Sequence, residues 1–104
     1  MNRKRHIIVE TIDWQGIALS VSYEPKWLST ERAHPVAHLQ VSVVGPECVP
    51  LPITETGYRS HFLSPEEIAE AGGAVEYVRA WLDYAAQSPE WRRRKEAARQ
   101  LSLF

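Results

Sequence analysis

The repeat of hydrophobic residues changes once along the chain, from a period of two to a period of three and four. Before Leu63 apolar and polar residues alternate, most regularly over Ile17–Glu24, which is typical of a strand with one face on a core and one in water. After Leu63, Val75, Val78 and Leu82 recur at helical spacing. Strands followed by helices predict an α+β domain. We expect an antiparallel sheet of about four strands, in the order β-β-β-β-α-α-α, with the helices packed on one face.

Turn residues and prolines predict where the strands end. Asp13-Trp14-Gln15-Gly16 indicates a hairpin between the first two strands, and Pro25 indicates the end of the second. Residues 27–35 are predicted to form a loop. A fourth strand is predicted over Ile53–Phe62, with Gly57 marking a bulge.

Three helices are predicted after Leu63. Ser64-Pro65-Glu66-Glu67 combines an N-cap hydroxyl, a first-turn proline and a third-position glutamate, and Gly72-Gly73 indicates where that helix ends. A main helix is expected from Ala74. Ser88-Pro89-Glu90 repeats the cap and proline, so a last, partly docked helix is expected to extend to about Ala98.

Charge is segregated along the chain although its sum is only −1. Eight of the 12 basic residues lie at the two ends, and residues 6–89 carry four basic and 11 acidic side chains, a formal −7. Such a body repels a polyanion over most of its surface. We therefore expect one domain over residues 1–89, and a basic helix and tail over 90–104. Nucleic acid is expected only indirectly or at Arg92, Arg93, Arg94 and Lys95, and the favoured alternative reading of this run is a solvated helix face.

Composition excludes several classes of protein. The single Cys48 allows neither an internal disulfide nor a cysteine-rich zinc site. Pro35 keeps His34 and His38 from sharing a regular helix, so we predict no metal and no cofactor. No apolar run approaches the ~20 residues that span a bilayer. A cytoplasmic protein, neither exported nor membrane-embedded, is expected.

The last five residues, Gln100-Leu101-Ser102-Leu103-Phe104, are mostly apolar. Leaving such side chains in water is unfavourable, so either the domain's own core or a partner is expected to cover them. The segment resembles the pentapeptide by which many bacterial replication and repair proteins bind the ring-shaped sliding clamp, the β subunit of the replicative polymerase. The resemblance implies that Gln100 enters a polar subsite, that Leu101 takes the intermediate position, and that Leu103 and Phe104 fill a hydrophobic cleft.

A second polar cluster lies in residues 53–62. On a strand, Arg59 and His61 share one face and Tyr58 shares the other with Ser60 and Phe62. Arg59 and His61 would then converge on an anionic group, with Glu55 holding Arg59. The alternative is an ordinary Glu55–Arg59 ion pair beside a surface histidine.

Several segments together resemble a small uncharacterised family of proteobacterial plasmids and other mobile elements. They are Trp14-Gln15-Gly16-Ile17, Tyr23-Glu24-Pro25-Lys26-Trp27-Leu28, Pro50-Leu51-Pro52-Ile53 and residues 53–62. The resemblance implies a setting on DNA-carrying mobile elements and no assigned activity.

These observations favour a non-enzymatic adaptor or inhibitor whose tail binds the sliding clamp and whose acidic body binds a second protein. One alternative is an acidic inhibitor of a DNA- or RNA-handling machine, of the anti-restriction or anti-CRISPR type, which would mimic nucleic-acid charge. Another is a small enzyme using Glu55, Arg59 and His61. Exposed strand edges would also allow a homodimer.

Overall fold

The computed structural model describes residues 7–30, 33–45 and 49–101, and they form a four-stranded antiparallel sheet followed by three helices. The strands are β1 (Ile8–Trp14), β2 (Ile17–Thr30), β3 (Ala33–Val43) and β4 (Tyr58–Leu63), paired in sequence order. The helices are α1 (Pro65–Ala71), α2 (Ala74–Ala85) and α3 (Pro89–Leu101). The predicted α+β order is confirmed.

One face of the sheet forms the hydrophobic core with the helices. The alternation in β2 and β3 places Leu19, Val21, Leu39 and Val41 on that face, where each is almost fully buried. From α2, Val78 and Leu82 complete the core, as their spacing predicts. Two hydrogen bonds fasten α2 to β1: Trp14 Nε1 donates to Asp83 Oδ1 (2.9 Å) and Arg79 donates to the Asp13 carbonyl (3.1 Å).

A two-residue turn joins β1 and β2, as predicted. Trp14 pairs with Ile17, and Gln15 and Gly16 occupy positive φ angles of 50° and 84°. Turns with two such residues match the twist of the strands that they join. The Asp13 carboxylate accepts a hydrogen bond from the Gly16 amide (3.1 Å) and so closes the turn.

Pro25 does not end β2, and the predicted loop over residues 27–35 is wrong for the residues that the structure describes there, because 27–30 belong to β2 and 33–35 belong to β3. Glu24 pairs with His38 and Leu28 with Val36, so β2 holds two more residues than β3 across this interval. This irregularity accommodates a proline, which cannot donate to the sheet. The pairing of β1 with β2 ends at Ile8 and Tyr23, and that of β4 with β3 ends at Leu63 and Ala37. Beyond these pairs β2 and β3 continue as a two-stranded arm (residues 24–30 and 33–36).

The predicted fourth strand is too long at its start. Before Tyr58 the chain turns instead, held by an isolated bridge between Leu51, which is fully buried, and Thr54. Gly57, at φ 81°, is therefore not a bulge within the strand: it precedes β4, and its carbonyl accepts from the Val43 amide (2.9 Å). The prolines at 50 and 52 favour this turn because they remove amide donors that a sheet requires.

The helix boundaries follow the predicted caps. Ser64 and Glu67 form a capping box at the start of α1, and Gly72 ends it at φ 97°. The Ser88 hydroxyl accepts from the Trp91 amide (3.1 Å) in the first turn of α3. That helix extends three residues past the predicted Ala98. No helix in the described part of the chain has the length and hydrophobicity to cross a membrane.

Candidate functional site

Helix α3 is attached to the domain at its first turn. Trp91 is 8% exposed and packs against Trp14, with ring centroids 6.3 Å apart. The next six residues, 92–97, are all exposed. Trp91 is the one buried side chain among residues 89–97, the part of α3 whose side chains the structure describes, so the body of the domain holds the start of this helix and leaves residues 92–97 in solvent.

The basic run of α3 divides into two parts. Arg94 donates to the carboxylate of Glu55, and the Lys95 ammonium donates to Gln15 Oε1 (3.2 Å). Arg92 and Arg93 are exposed. Half of the run therefore contacts the domain itself, and half is available to a partner.

The predicted clamp-binding residues follow this stretch. By backbone, Gln100 and Leu101 belong to the last turn of α3. Leu103 and Phe104 lie outside the described residues, as do the side chains of Gln100 and Leu101. Their role in clamp binding stays a prediction.

The second predicted cluster is divided by the fold. Glu55 accepts from Arg94 on α3, so its predicted pairing with Arg59 is wrong. The Arg59 guanidinium instead lies 5.7 Å from the ring centroid of Trp81 on α2, a cation–π contact. Arg94 lies 39 positions from Glu55 in the sequence. No local sequence pattern therefore identifies Arg94 as the partner of Glu55.

His61 lies on the helix side of β4, as its strand position predicts. Its ring centroid is 4.8 Å from that of Trp81, and its Nε2 lies 3.4 Å from the Tyr77 hydroxyl. Burial lowers the pKa of His61, and the charge of Arg59 lowers it further against the opposing effect of Glu67. Burial, followed by Glu67, raises the pKa of Tyr77. A histidine with a lowered pKa attracts an anion less than an ordinary histidine does, and the Arg59 guanidinium already contacts Trp81.

Tyr58 lies on the opposite face of β4. Its side chain is 49% exposed, and its carbonyl accepts from the Thr54 hydroxyl (2.8 Å). This bond fixes the turn that enters β4. Tyr58 therefore does not share a site with Arg59 and His61.

An aromatic cluster on the uncovered face of the sheet was missed by the sequence analysis. The rings of Trp27 and His38 both contact Phe62, at centroid distances of 4.8 and 4.6 Å. Trp27 and Phe62 are 42% and 51% exposed. The alternation that assigns Leu39 and Leu63 to the core also assigns His38 and Phe62 to the outer face, but Trp27 lay in the segment misread as a loop.

The polar atoms beside this cluster do not form an activated serine. His38 Nε2 lies 2.5 Å from Ser60 Oγ, and the Gln40 amide nitrogen lies 3.2 Å from His38 Nδ1. With the Gln40 amide in this orientation, its NH₂ can only donate, so Nδ1 accepts and Nε2 carries the proton. His38 then donates to Ser60, whereas a nucleophilic serine must donate to its base.

A shallow groove between α1 and α2 is both acidic and aromatic. It is lined by the carboxylates of Glu67 and Glu70 and by the rings of Tyr77, Trp81 and Tyr84. Tyr84 is 78% exposed. Within the described ranges no group of three or more His, Cys, Asp or Glu side chains is placed to hold a metal ion.

Residues 7–91 match the family model of the KlcB third domain. The chain belongs to the KlcB third-domain family. KlcB proteins are plasmid-associated, which agrees with the predicted mobile-element setting. The match to the KlcB third domain spans the sheet, α1 and α2 and ends at Trp91, so it does not include the rest of α3 or the tail. No curated protein and no solved structure matches the chain.

Proposed function

We propose that the chain is a non-enzymatic, protein-binding accessory domain of a plasmid-associated protein, and that it binds the bacterial sliding clamp through residues 100–104. Gln100 takes the polar subsite, Leu101 the intermediate position, and Leu103 and Phe104 the hydrophobic cleft. The observation that supports this most directly is the exposure of residues 92–97, beyond the buried Trp91. The proposal places the protein in the cytoplasm, where the clamp acts.

The motif is used in an extended form, whereas Gln100 and Leu101 lie in the last turn of α3. Docking therefore requires that turn to unwind. Terminal helical turns open at little cost because their last carbonyls lack partners within the helix. Burying ~300 Å² of apolar area at about 25 cal/mol per Å² gives a gross ~7 kcal/mol before ordering costs. We expect a dissociation constant on the order of micromolar.

The test is calorimetric titration of purified clamp with the full chain and with a chain that ends at Arg99. We expect one full chain to bind at each peptide-binding cleft of the clamp. We expect the shortened chain not to bind. Leu103→Ala and Phe104→Ala should each weaken binding at least about tenfold, since each removes an apolar anchor worth more than ~1.4 kcal/mol.

Gln87→Ala is the matched control because it changes an exposed residue outside both the motif and the basic run of α3. It should bind like the parent chain. Equal binding by the full and shortened chains, or by neither, would remove the clamp proposal.

The groove between α1 and α2 supports a second candidate, in which the acidic body binds a basic protein or blocks a DNA- or RNA-handling machine by charge mimicry. Aromatic rings beside carboxylates suit lysine and arginine side chains. Such binding falls steeply as salt rises, whereas clamp docking through apolar residues responds little. Titrating a captured partner at low and at high salt distinguishes clamp docking from binding by the acidic body. If salt releases the partner from the full chain and from the shortened chain alike, the acidic body is the binding surface.

A further inference from the structure

An apolar pocket lies between the β1–β2 turn, residues 49–50 and the start of α3. Its volume is about 360 Å³. Trp14 and Trp91 are part of its lining, with Ile17, Val49 and Pro50. Two cationic side chains, Arg94 and Lys95, also line it, and both are exposed.

The two tryptophans are held in place without a ligand. Trp14 is 4% exposed, and its indole N–H donates to Asp83 on α2. Trp91 is fixed at the capped first turn of α3. A pocket whose walls are fixed in this way needs little rearrangement to accept a flat group. Binding to such a pocket costs less free energy because few side chains must be ordered.

The two cations differ in what already balances their charge. Arg94 is paired with the carboxylate of Glu55. Lys95 donates to the side-chain amide of Gln15, which is neutral. The positive charge of Lys95 is therefore not offset by its hydrogen-bond partner, and an anion beside the pocket would be attracted to it.

We propose that this pocket binds a small aromatic anion, with its ring against Trp14 and Trp91 and its carboxylate, sulfonate or phosphate at Lys95. Ligand pockets usually measure about 300–1,000 Å³, so this volume lies at the lower end of that range and suits a ligand of two or three aromatic rings. Apolar walls exclude water from the ring, and the single uncompensated ammonium selects a single negative charge. This site is independent of the clamp-binding segment.

The test uses two fluorescent probes that share a naphthylamine skeleton: anilinonaphthalene sulfonate, which is anionic, and N-phenylnaphthylamine, which is neutral. The anionic probe is expected to bind the full chain at one site per chain, with energy transfer from tryptophan. Lys95→Gln should weaken binding of the anionic probe roughly three- to fivefold, the upper end of what the loss of one exposed charge contact produces. The neutral probe should change by less than about twofold, because it has no partner for the ammonium.

Arg93→Gln removes the same charge from α3 outside the pocket and should leave both probes unchanged. Ile17→Trp fills the pocket and should abolish both, provided that the variant still unfolds cooperatively. Val49→Trp serves the same purpose if Ile17→Trp does not fold. Equal losses in Lys95→Gln and Arg93→Gln, no loss in Lys95→Gln, or unchanged binding in a folded pocket-filling variant would overturn the proposal.

Discussion

Two arginine side chains join elements that are far apart in the sequence. Arg94 holds the Glu55 turn, and the Arg59 guanidinium lies over Trp81. The predicted faces of β4 are confirmed, because a period of two fixes which side chains share a side. The predicted partner of Glu55 is wrong, because contacts between distant segments depend on how α3 docks.

His61 makes the stability of the domain depend on pH. Its native pKa lies below the ordinary value of about 6.5 because burial disfavours the charged ring. As the pH falls through about 6.5, the unfolded chain takes up a proton that the native protein does not, so the free energy of unfolding falls. Above about pH 6.5 His61 does not reduce the free energy of unfolding. The reduction reaches its full size once the pH is below the native pKa of His61.

Urea unfolding at about pH 7.5 and about pH 5.5 measures this effect. The parent chain is expected to lose more stability between these values than His61→Gln does, because glutamine does not titrate. An equal loss in the parent chain and in the variant would show that His61 contributes nothing to the pH dependence.

At the scale of elements, boundaries that depend on local chemistry were predictable and those that depend on pairing were not. The Ser64–Glu67 box and Gly72 bound α1 as predicted, because capping partners lie within one helical turn. The prediction that Pro25 ends β2 is wrong because the facing strand decides what this proline does. β3 tolerates the two additional residues of β2 opposite it, and the pair continues into the arm.

The attachment of α3 rests mainly on Trp91. We expect Trp91→Ala to lower the free energy of unfolding by about 3 kcal/mol, at the lower end of the range for a large-to-small substitution of an aromatic core residue. Helical circular dichroism should fall at the same time because α3 loses its packing partner. Arg93→Ala, an exposed site on the same helix, should change stability by no more than about 0.5 kcal/mol. Unchanged helicity in Trp91→Ala would mean that α3 forms without its contact to Trp14.

At the scale of the whole molecule, the charge pattern limits what the surface can bind. Residues 6–89 carry a formal −7, and the basic side chains are concentrated at the ends. Arg94 is already paired with Glu55. The acidic body therefore opposes the approach of a polyanion, and affinity for duplex DNA depends chiefly on how many phosphates a protein neutralises.

We expect the full chain not to retard random-sequence duplex DNA in gels at about 0.15 M salt, a concentration at which salt already weakens non-specific contacts to phosphates. The double variant Arg92→Gln and Arg93→Gln should behave identically. Micromolar binding that the double variant loses would establish the exposed half of the basic run as a phosphate-binding element.

The order of the strands bears on how the polypeptide acquires its shape. Each strand pairs with the one before it in sequence, so no early strand must wait for a distant segment in order to join the sheet. Folds dominated by such short-range connections form quickly, and nascent chains gain structure from the amino-terminal end. The β1–β2 hairpin can thus assemble during translation, followed by β3 and β4, while α3 joins only after Trp91 has emerged from the ribosome.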